Sequence, residues 1–242
     1  MNFKNKTVVI TGGANGIGKC LTEEFRKAGA RVAVIDMDYN PVECELYHRG
    51  DIAVEEELST FSKKVIEEFS SIDYLINNAC LSKKGILSGC SYEDFNYVLR
   101  VGVSAPYQLT RLFLPHFNKQ AAIVNISSTR AFMSQEDTES YSAAKGAITA
   151  LTHSLAVSLG VRVRVNSISP GWIDTTDSSF GKEDMEQHPA GRVGKPLDIA
   201  KLAMFLCSED SGFITGENII VDGGMTKNMI YHNDCGWSYT GR

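Results

Sequence analysis

The chain has 242 residues, a net charge of −5, and 43% hydrophobic against 22% charged residues. That balance is ordinary for a globular protein and argues against disorder, and the charge gives no electrostatic reason to expect nucleic acid or an anionic membrane as a partner. The length suits one α/β domain whose core needs no staple.

The six cysteines, at 20, 44, 80, 90, 207 and 235, are scattered. None shows C-x-x-C spacing or a zinc pattern with histidine, so reduced thiols, no metal site and a cytoplasmic location are expected. The start, Met1 to Lys6, is polar and has no signal-peptide core. No apolar run is long enough to cross a bilayer.

Residues 7–10 are a β-branched run that reads as a strand. A glycine-rich turn follows. Ile17, Leu21, Phe25 and Ala28 then recur at helical spacing, closed by Gly29. Residues 31–35 read as a second strand that ends at Asp36. Continuous apolar strands of this kind suit a parallel sheet covered on both faces.

Val54, Leu58, Phe61, Val65, Ile66 and Phe69 make a helix stripe, and residues 74–76 a strand. A long helical region spans 92–118, with a break expected near Pro106. Strand 121–126, helix 141–159, strand 161–168, helix 197–207 and strand 218–221 complete the alternation. About seven strands interleaved with helices predict a single Rossmann-type α/β domain, its doubly wound parallel sheet covered by helices on both faces. Two segments stay unassigned. The first, 176–190, reads either as a surface loop or as a lid over substrate. The tail, 227–242, holds Tyr, Trp and His; it reads as a disordered end, a subunit contact or a closure of the pocket.

Three groups of residues point to chemistry. The turn from Thr11 to Gly18 includes Gly12, Asn15, Gly16, Ile17 and Gly18, and lies between a strand and a helix. Glycines let the backbone approach a pyrophosphate, and the helix start offers free N–H groups. Its G-x-x-x-G-x-G spacing is not the usual dinucleotide fingerprint, so position carries the reading. Asp36 closes the next strand, where a carboxylate accepts from an adenosine ribose hydroxyl and repels a 2′-phosphate. Neither Met37 nor Asn15 brings a positive charge and Asp38 adds a negative one, so NAD is favoured over NADP.

Tyr141 and Lys145 are four residues apart, on one helix face. A phenol is normally too weak an acid to exchange protons at neutral pH. A nearby ammonium and an oxidised nicotinamide both favour its phenolate. Ser128 ends a strand at the sheet edge where ligands bind in open α/β folds, and its hydroxyl suits a substrate oxygen.

These motifs together resemble the short-chain dehydrogenase/reductase family over nearly the whole length. They are TGGANGIG at 11–18, Asp51-Ile52, Asn77-Asn78-Ala79, NISS at 125–128, YSAAK at 141–145, Asn166, PGWIDT at 170–175 and VDGG at 221–224. The resemblance implies an NAD-dependent oxidoreductase that moves a hydride between the cofactor and a carbonyl or secondary alcohol. Tyr141 would be the general acid/base, Lys145 would hold the nicotinamide ribose and favour the phenolate, and Ser128 would orient the carbonyl. Asp51, Ile52 and Asn78 would contact the adenosine, with Ala79 and Cys80 beside them. Pro170, Gly171, Ile173 and Thr175 would bracket the nicotinamide. Helix 141–159 would pack against other subunits in a homodimer or homotetramer.

Three departures stand out. Gly102 occupies the site of the family's usual helix asparagine, which supports a water in the proton relay; an extra solvent molecule in the space left by Gly102 is the expected substitute. Cys80 replaces the glycine of N-N-A-G. Asp51 follows Asp36 so closely that the helix between the second and third strands is expected to be lost. Because of Gly102, a catalytically silent NAD(P)-binding sensor or scaffold stays open as a second reading.

Overall fold

Six apolar runs become β1 (Thr7–Thr11), β2 (Arg31–Asp36), β4 (Ile72–Asn77), β5 (Phe117–Ile126), β6 (Val163–Pro170) and β7 (Asn218–Val221), and the seventh strand, β3 (Leu46–Arg49), is the third strand before Asp51, which no apolar run marks. In this computed structural model, which describes residues 1–240 and only the backbone of Cys235, they form one parallel sheet in the order β3-β2-β1-β4-β5-β6-β7. Parallel strands need crossover connections, and these put helices on both faces. α1 (Gly16–Lys27) and α7 (Pro196–Cys207) cover one face. α2 (Glu55–Phe69), α4 (Ala105–Phe113) and α5 (Glu139–Leu159) cover the other.

The two-residue period of the strands divides the core between these layers. Val8 and Ile10 pack with Leu21, Phe25 and Ile199, while Val9 packs with Leu58, Phe61 and Leu109. β1 lies between β2 and β4, so the connections leaving the C-terminal ends of β1 and β4 run to opposite faces. They open the crevice that such sheets use for ligands.

The chain from β2 to β3 carries no helix, as the short spacing before Asp51 predicts. The helical region after β4 requires a correction. It consists of α3 (Tyr92–Leu99), a π-helical turn over Arg100–Ser104, and α4. Its irregularity is the π turn, where the Ala105 N–H donates to the Arg100 carbonyl five residues back. Pro106 does not break the helix, because it sits in the first turn of α4, where a missing N–H is tolerated. It does deny the Gly102 carbonyl an α-helical donor four residues on. β5 starts at Phe117, earlier than its apolar core suggests, with a register shift between Ile72 and Tyr74 of β4.

Segment 176–190 holds the short helix α6 (Lys182–Glu186) and is mostly exposed, with His188 buried. In the tail, His232, Trp237 and Tyr239 pack on one another yet remain exposed; residues 241–242 lie outside the described part. Five cysteines are free, and the Cys235 side chain lies outside the described residues. Among the described residues, no helix is long and apolar enough to cross a membrane, and no group of three or more His, Cys, Asp or Glu is placed to hold a metal.

Candidate active site

A groove of about 430 Å³ lies over the C-terminal ends of β1, β2 and β4. Glycine builds its floor. A Cβ on Gly18 would come within 1.9 Å of the Gly12 carbonyl oxygen, and Gly12 itself has φ +65°, a left-handed value. Gly16 would meet Thr175 Cγ2 at 3.1 Å, so the chain after β6 closes over the turn. Asn15 caps α1 without accepting a helix N–H on its side chain, and no acidic residue stands in the first turn. The N–H groups at that end therefore face the groove without a protein anion.

Asp36 lies on the groove wall. Its carboxylate accepts from the Ala14 N–H at 2.9 Å and from the Asp38 N–H at 3.0 Å. Asp38 holds the Asn15 amide at 2.7 Å; the Asn40 N–H and that amide keep its carboxyl below the usual range. Met37, Asp51, Ile52, Asn78, Ala79 and Cys80 line the groove as expected. No lysine or arginine does. The guanidinium of Arg49, one residue before Gly50 of the lining, is held over the Tyr39 ring at 3.5 Å.

Two groove residues have another task. The Asn78 side-chain amide donates to the Thr11 and Gly12 carbonyls at 3.1 and 2.9 Å, so Asn78 ties the end of β4 to the turn. Asp51 accepts from the Tyr97 hydroxyl at 3.0 Å. Burial, then this bond, push the Tyr97 phenol up to about 12.

Sequence reasoning missed Thr11 and Tyr97. Thr11 Oγ1 accepts both the Asn78 and Ala79 N–H groups at 3.0 Å. Tyr97 belongs to the helix after β4, and only the packing of α3 brings it to the groove.

Ser128 and Tyr141 face a second cleft of about 730 Å³, together with Gly171 and Ile173. Ser128 Oγ accepts from the Arg130 N–H at 3.1 Å, which leaves its O–H free to donate to a ligand oxygen. Lys145 is buried below Tyr141. Its Nζ donates to the Ile126 carbonyl at 2.6 Å and stands 5.4 Å from the Tyr141 ring centroid. Ser127 Oγ fixes the helix from beneath, donating to the Lys145 carbonyl at 2.9 Å. A buried chain also crosses the sheet: the Asn77 amide donates to Asn125, and the Asn125 amide to Thr152 on α5. Neither Lys145 nor Pro170 is on the lining of either cavity, and Thr175 is on the groove only.

Asn166 is structural here. Its amide donates to the Ile214 carbonyl at 2.9 Å and its oxygen accepts the Glu217 N–H at 3.1 Å. Gly171 is demanded by contact, since a Cβ there would meet Asp222 Cβ at 2.6 Å.

Gly102 and Cys80 are neighbours. A Cβ on Gly102 would meet Ala144 Cβ at 3.0 Å and Cys80 Sγ at 3.3 Å. The direction in which a side chain would grow is tight, with Ala144 and Cys80 as its walls. Two departures that are separate in sequence therefore meet in one space beside Ala144.

Segment 176–190 contributes Gln187 to the second cleft. Trp172 lines this cleft and is backed edge-on by Phe180 at 5.1 Å. Met185 of the same segment is exposed and off the lining.

A glycine-floored groove at the switch point of a parallel sheet, beside a cleft that holds serine and tyrosine with a buried lysine, defines a dinucleotide-binding oxidoreductase architecture. The family model described as Enoyl-(Acyl carrier protein) reductase matches residues 12–226. An uncharacterized oxidoreductase of Thermotoga maritima is 43% identical over 253 residues, 95% of this chain and 99% of that protein. The structure of an apo SCOR enzyme from Clostridium thermocellum superposes with a TM-score of 0.93 at 48% identity, covering 98% of this chain and 100% of that one. A 4-hydroxyisoleucine dehydrogenase complexed with NADH superposes with a TM-score of 0.85 at 29% identity over 93% of this chain and 100% of its own. The chain belongs to the short-chain dehydrogenase/reductase family and is an oxidoreductase of that family.

Proposed function

We propose that the chain uses NAD to interconvert a small secondary alcohol and its carbonyl compound, with Tyr141 as general acid/base. The observation that carries this reading is the meeting of Ser128 and Tyr141 on one cleft with Lys145 buried beside the phenol. The groove fits the cofactor: its glycine floor has no room for a Cβ at Gly18, and the α1 N–H groups lack a protein partner. Gly12, Gly16, Ile17 and Gly18 would hold the pyrophosphate, and Asp36 the adenosine ribose.

When bound, the nicotinamide supplies the hydride acceptor or donor. The Ser128 hydroxyl donates to the reacting oxygen. In oxidation, the Tyr141 phenolate takes the alcohol proton; in reduction, the phenol returns it. The Lys145 ammonium stabilises the phenolate and has two further protons to offer beyond the one on the Ile126 carbonyl. Two carboxylates and no cation on the groove lining support NAD over NADP, since Asp36 would repel a 2′-phosphate, although Arg49 pairs with Asp36 across the strands and donates to the Met37 carbonyl. The exposed Val157 on α5 and Val161 just beyond it support assembly through α5 as a homodimer or homotetramer, which light scattering on the purified protein would read.

The test is NADH absorbance across a panel of carbonyls and alcohols, with NAD affinity measured in parallel. Tyr141→Phe is expected to lower turnover about a hundred- to ten-thousandfold while keeping the affinity for NAD. NAD binding with no turnover on any panel member would favour the sensor reading that Gly102 raises, and tighter binding of NADP than NAD would refute the role given to Asp36.

A further inference from the structure

We infer that the substrate carries a carboxylate, and that Arg130 is the residue that selects it. The inference rests on the hydride-transfer reading above and deepens it. The substrate cleft is lined by neutral polar groups (among them Ser82, Ser134 and Gln187), by apolar ones (Met133, Trp172, Met225) and by a single charged side chain, Arg130. Arg130 is half-buried as a residue, its guanidinium donates to the amide oxygen of the exposed Gln135, and it has no carboxylate partner among the described residues.

Of the loop's carboxylates, Glu136 is exposed and pairs with no cation among the described residues, and the other two are turned to other work. Asp137 accepts the N–H groups of Leu87 and Ser88 at 2.9 and 3.2 Å, and Glu139 that of Ile86 at 3.0 Å. A guanidinium has five donors in a planar fork, and one neutral amide oxygen leaves most of them unmet. Those free donors match the two oxygens of a ligand carboxylate in a bidentate pair.

The position of Arg130 fits that role. Its backbone N–H is bound to Ser128 Oγ at 3.1 Å. The group that holds the anion sits in the short helical turn Thr129–Ala131, and the group that holds the reacting oxygen, Ser128, caps that turn. The apolar wall of Trp172, backed by Phe180, suits the carbon chain between them. The substrate class is a short hydroxycarboxylate, or the matching oxo acid, with an apolar body.

The experiment compares four- to eight-carbon 2- and 3-hydroxycarboxylates with their methyl esters, using NAD and the full chain. The wild type is expected to prefer acid over ester in kcat/KM by about ten- to a hundredfold. Arg130→Met should bring that ratio close to one, and Arg130→Lys, which keeps the charge and loses the fork, should restore part of it. Equal use of acid and ester by the wild type would overturn the inference. So would a fall in both by the same factor in Arg130→Met, which is the signature of a merely structural arginine.

If no panel member is oxidised at all, hydride transfer is judged on the broader carbonyl and alcohol panel above, and calorimetry with the NAD-loaded protein decides the carboxylate site. Hexanoate binding at least tenfold tighter than hexanamide, with that margin lost in Arg130→Met, would support the carboxylate site. Equal affinity, or no binding of either, would refute it.

Discussion

At the scale of single residues, contact distance decides which positions tolerate change. Gly18 has no tolerance: a methyl group would lie 1.9 Å from the Gly12 carbonyl oxygen and 2.6 Å from Asn78 Nδ2, both fixed in the turn. Gly18→Ala is expected to abolish measurable NAD binding and to lower the melting temperature, as calorimetry and thermal unfolding would report.

Gly102 is a closer balance. Replacing helical glycine with alanine gains about 1 kcal/mol of propensity, while overpacking costs roughly 1–3 kcal/mol. The contacts at 3.0 Å to Ala144 and 3.3 Å to Cys80 Sγ place it on the costly side. Gly102→Ala should therefore destabilise the wild type, and do so less in a Cys80→Gly background. Urea unfolding of the double-mutant cycle measures this, and additivity within about 0.3 kcal/mol would show that the two sites are independent. The sequence displays both departures, but not that they touch, because the contact joins the end of β4 to the π turn. Arg130 is the same kind of case: a motif position fixes Ser128, and only the packed loops reveal which neighbour faces the cleft.

At the scale of elements, the strands were the most readable part. Their continuous apolar runs have one stable use, as buried parallel strands, and the short interval before Asp51 leaves no length for a helix. The break expected near Pro106 falls on the π turn Arg100–Ser104, which ends two residues before the proline. Proline marks a break in a helix interior but is accommodated in a first turn, and the choice between the two depends on where α4 begins.

α7 depends on its first-turn acid. Asp198 is gripped by Arg192 at 2.7 and 2.8 Å and accepts the Lys195 N–H at 2.8 Å. The Arg192 bond, opposed by partial burial and aided by the Lys195 N–H, holds its carboxyl below the usual range. The folded form then binds that proton more weakly than the unfolded chain does, so the stability it gives is complete above the ordinary aspartate value of about 3.9. It is lost as pH falls below that value. At neutral pH, Asp198→Asn should cost roughly 0.5–1 kcal/mol after solvent screening. Its melting temperature should also fall less between pH 5 and pH 3 than that of the wild type. An identical acid slope in the variant would remove Asp198 from the account.

The chain Asn77–Asn125–Thr152 carries a larger penalty because it is buried. Asn125→Ala leaves donors or acceptors unmet on both neighbours, at roughly 1–3 kcal/mol, and a loss under 0.5 kcal/mol in urea unfolding would contradict its bracing role.

At the scale of the whole molecule, the sheet divides the work. Its C-terminal edge carries a groove without cations over β1, β2 and β4 and a cleft with one cation by β5 and β6. Tyr141 and Lys145, on the helix after β5, stand by the cleft. The fold class and most groove residues were legible because each motif lies where a strand ends, and strand ends are local features. The lining of the cleft was not, since segment 176–190 and the loop 129–138 meet only in the folded chain.

The measurement that tests this arrangement most directly is a crystal structure of the NAD complex. The account predicts the adenosine ribose on Asp36 and the nicotinamide opening into the cleft. It also predicts the Tyr141 hydroxyl and Ser128 Oγ about 2.6–3.2 Å from a common point, where a substrate oxygen would sit on that ring. A nicotinamide directed away from the cleft, or a Tyr141 hydroxyl beyond proton-transfer distance of that point, would contradict it.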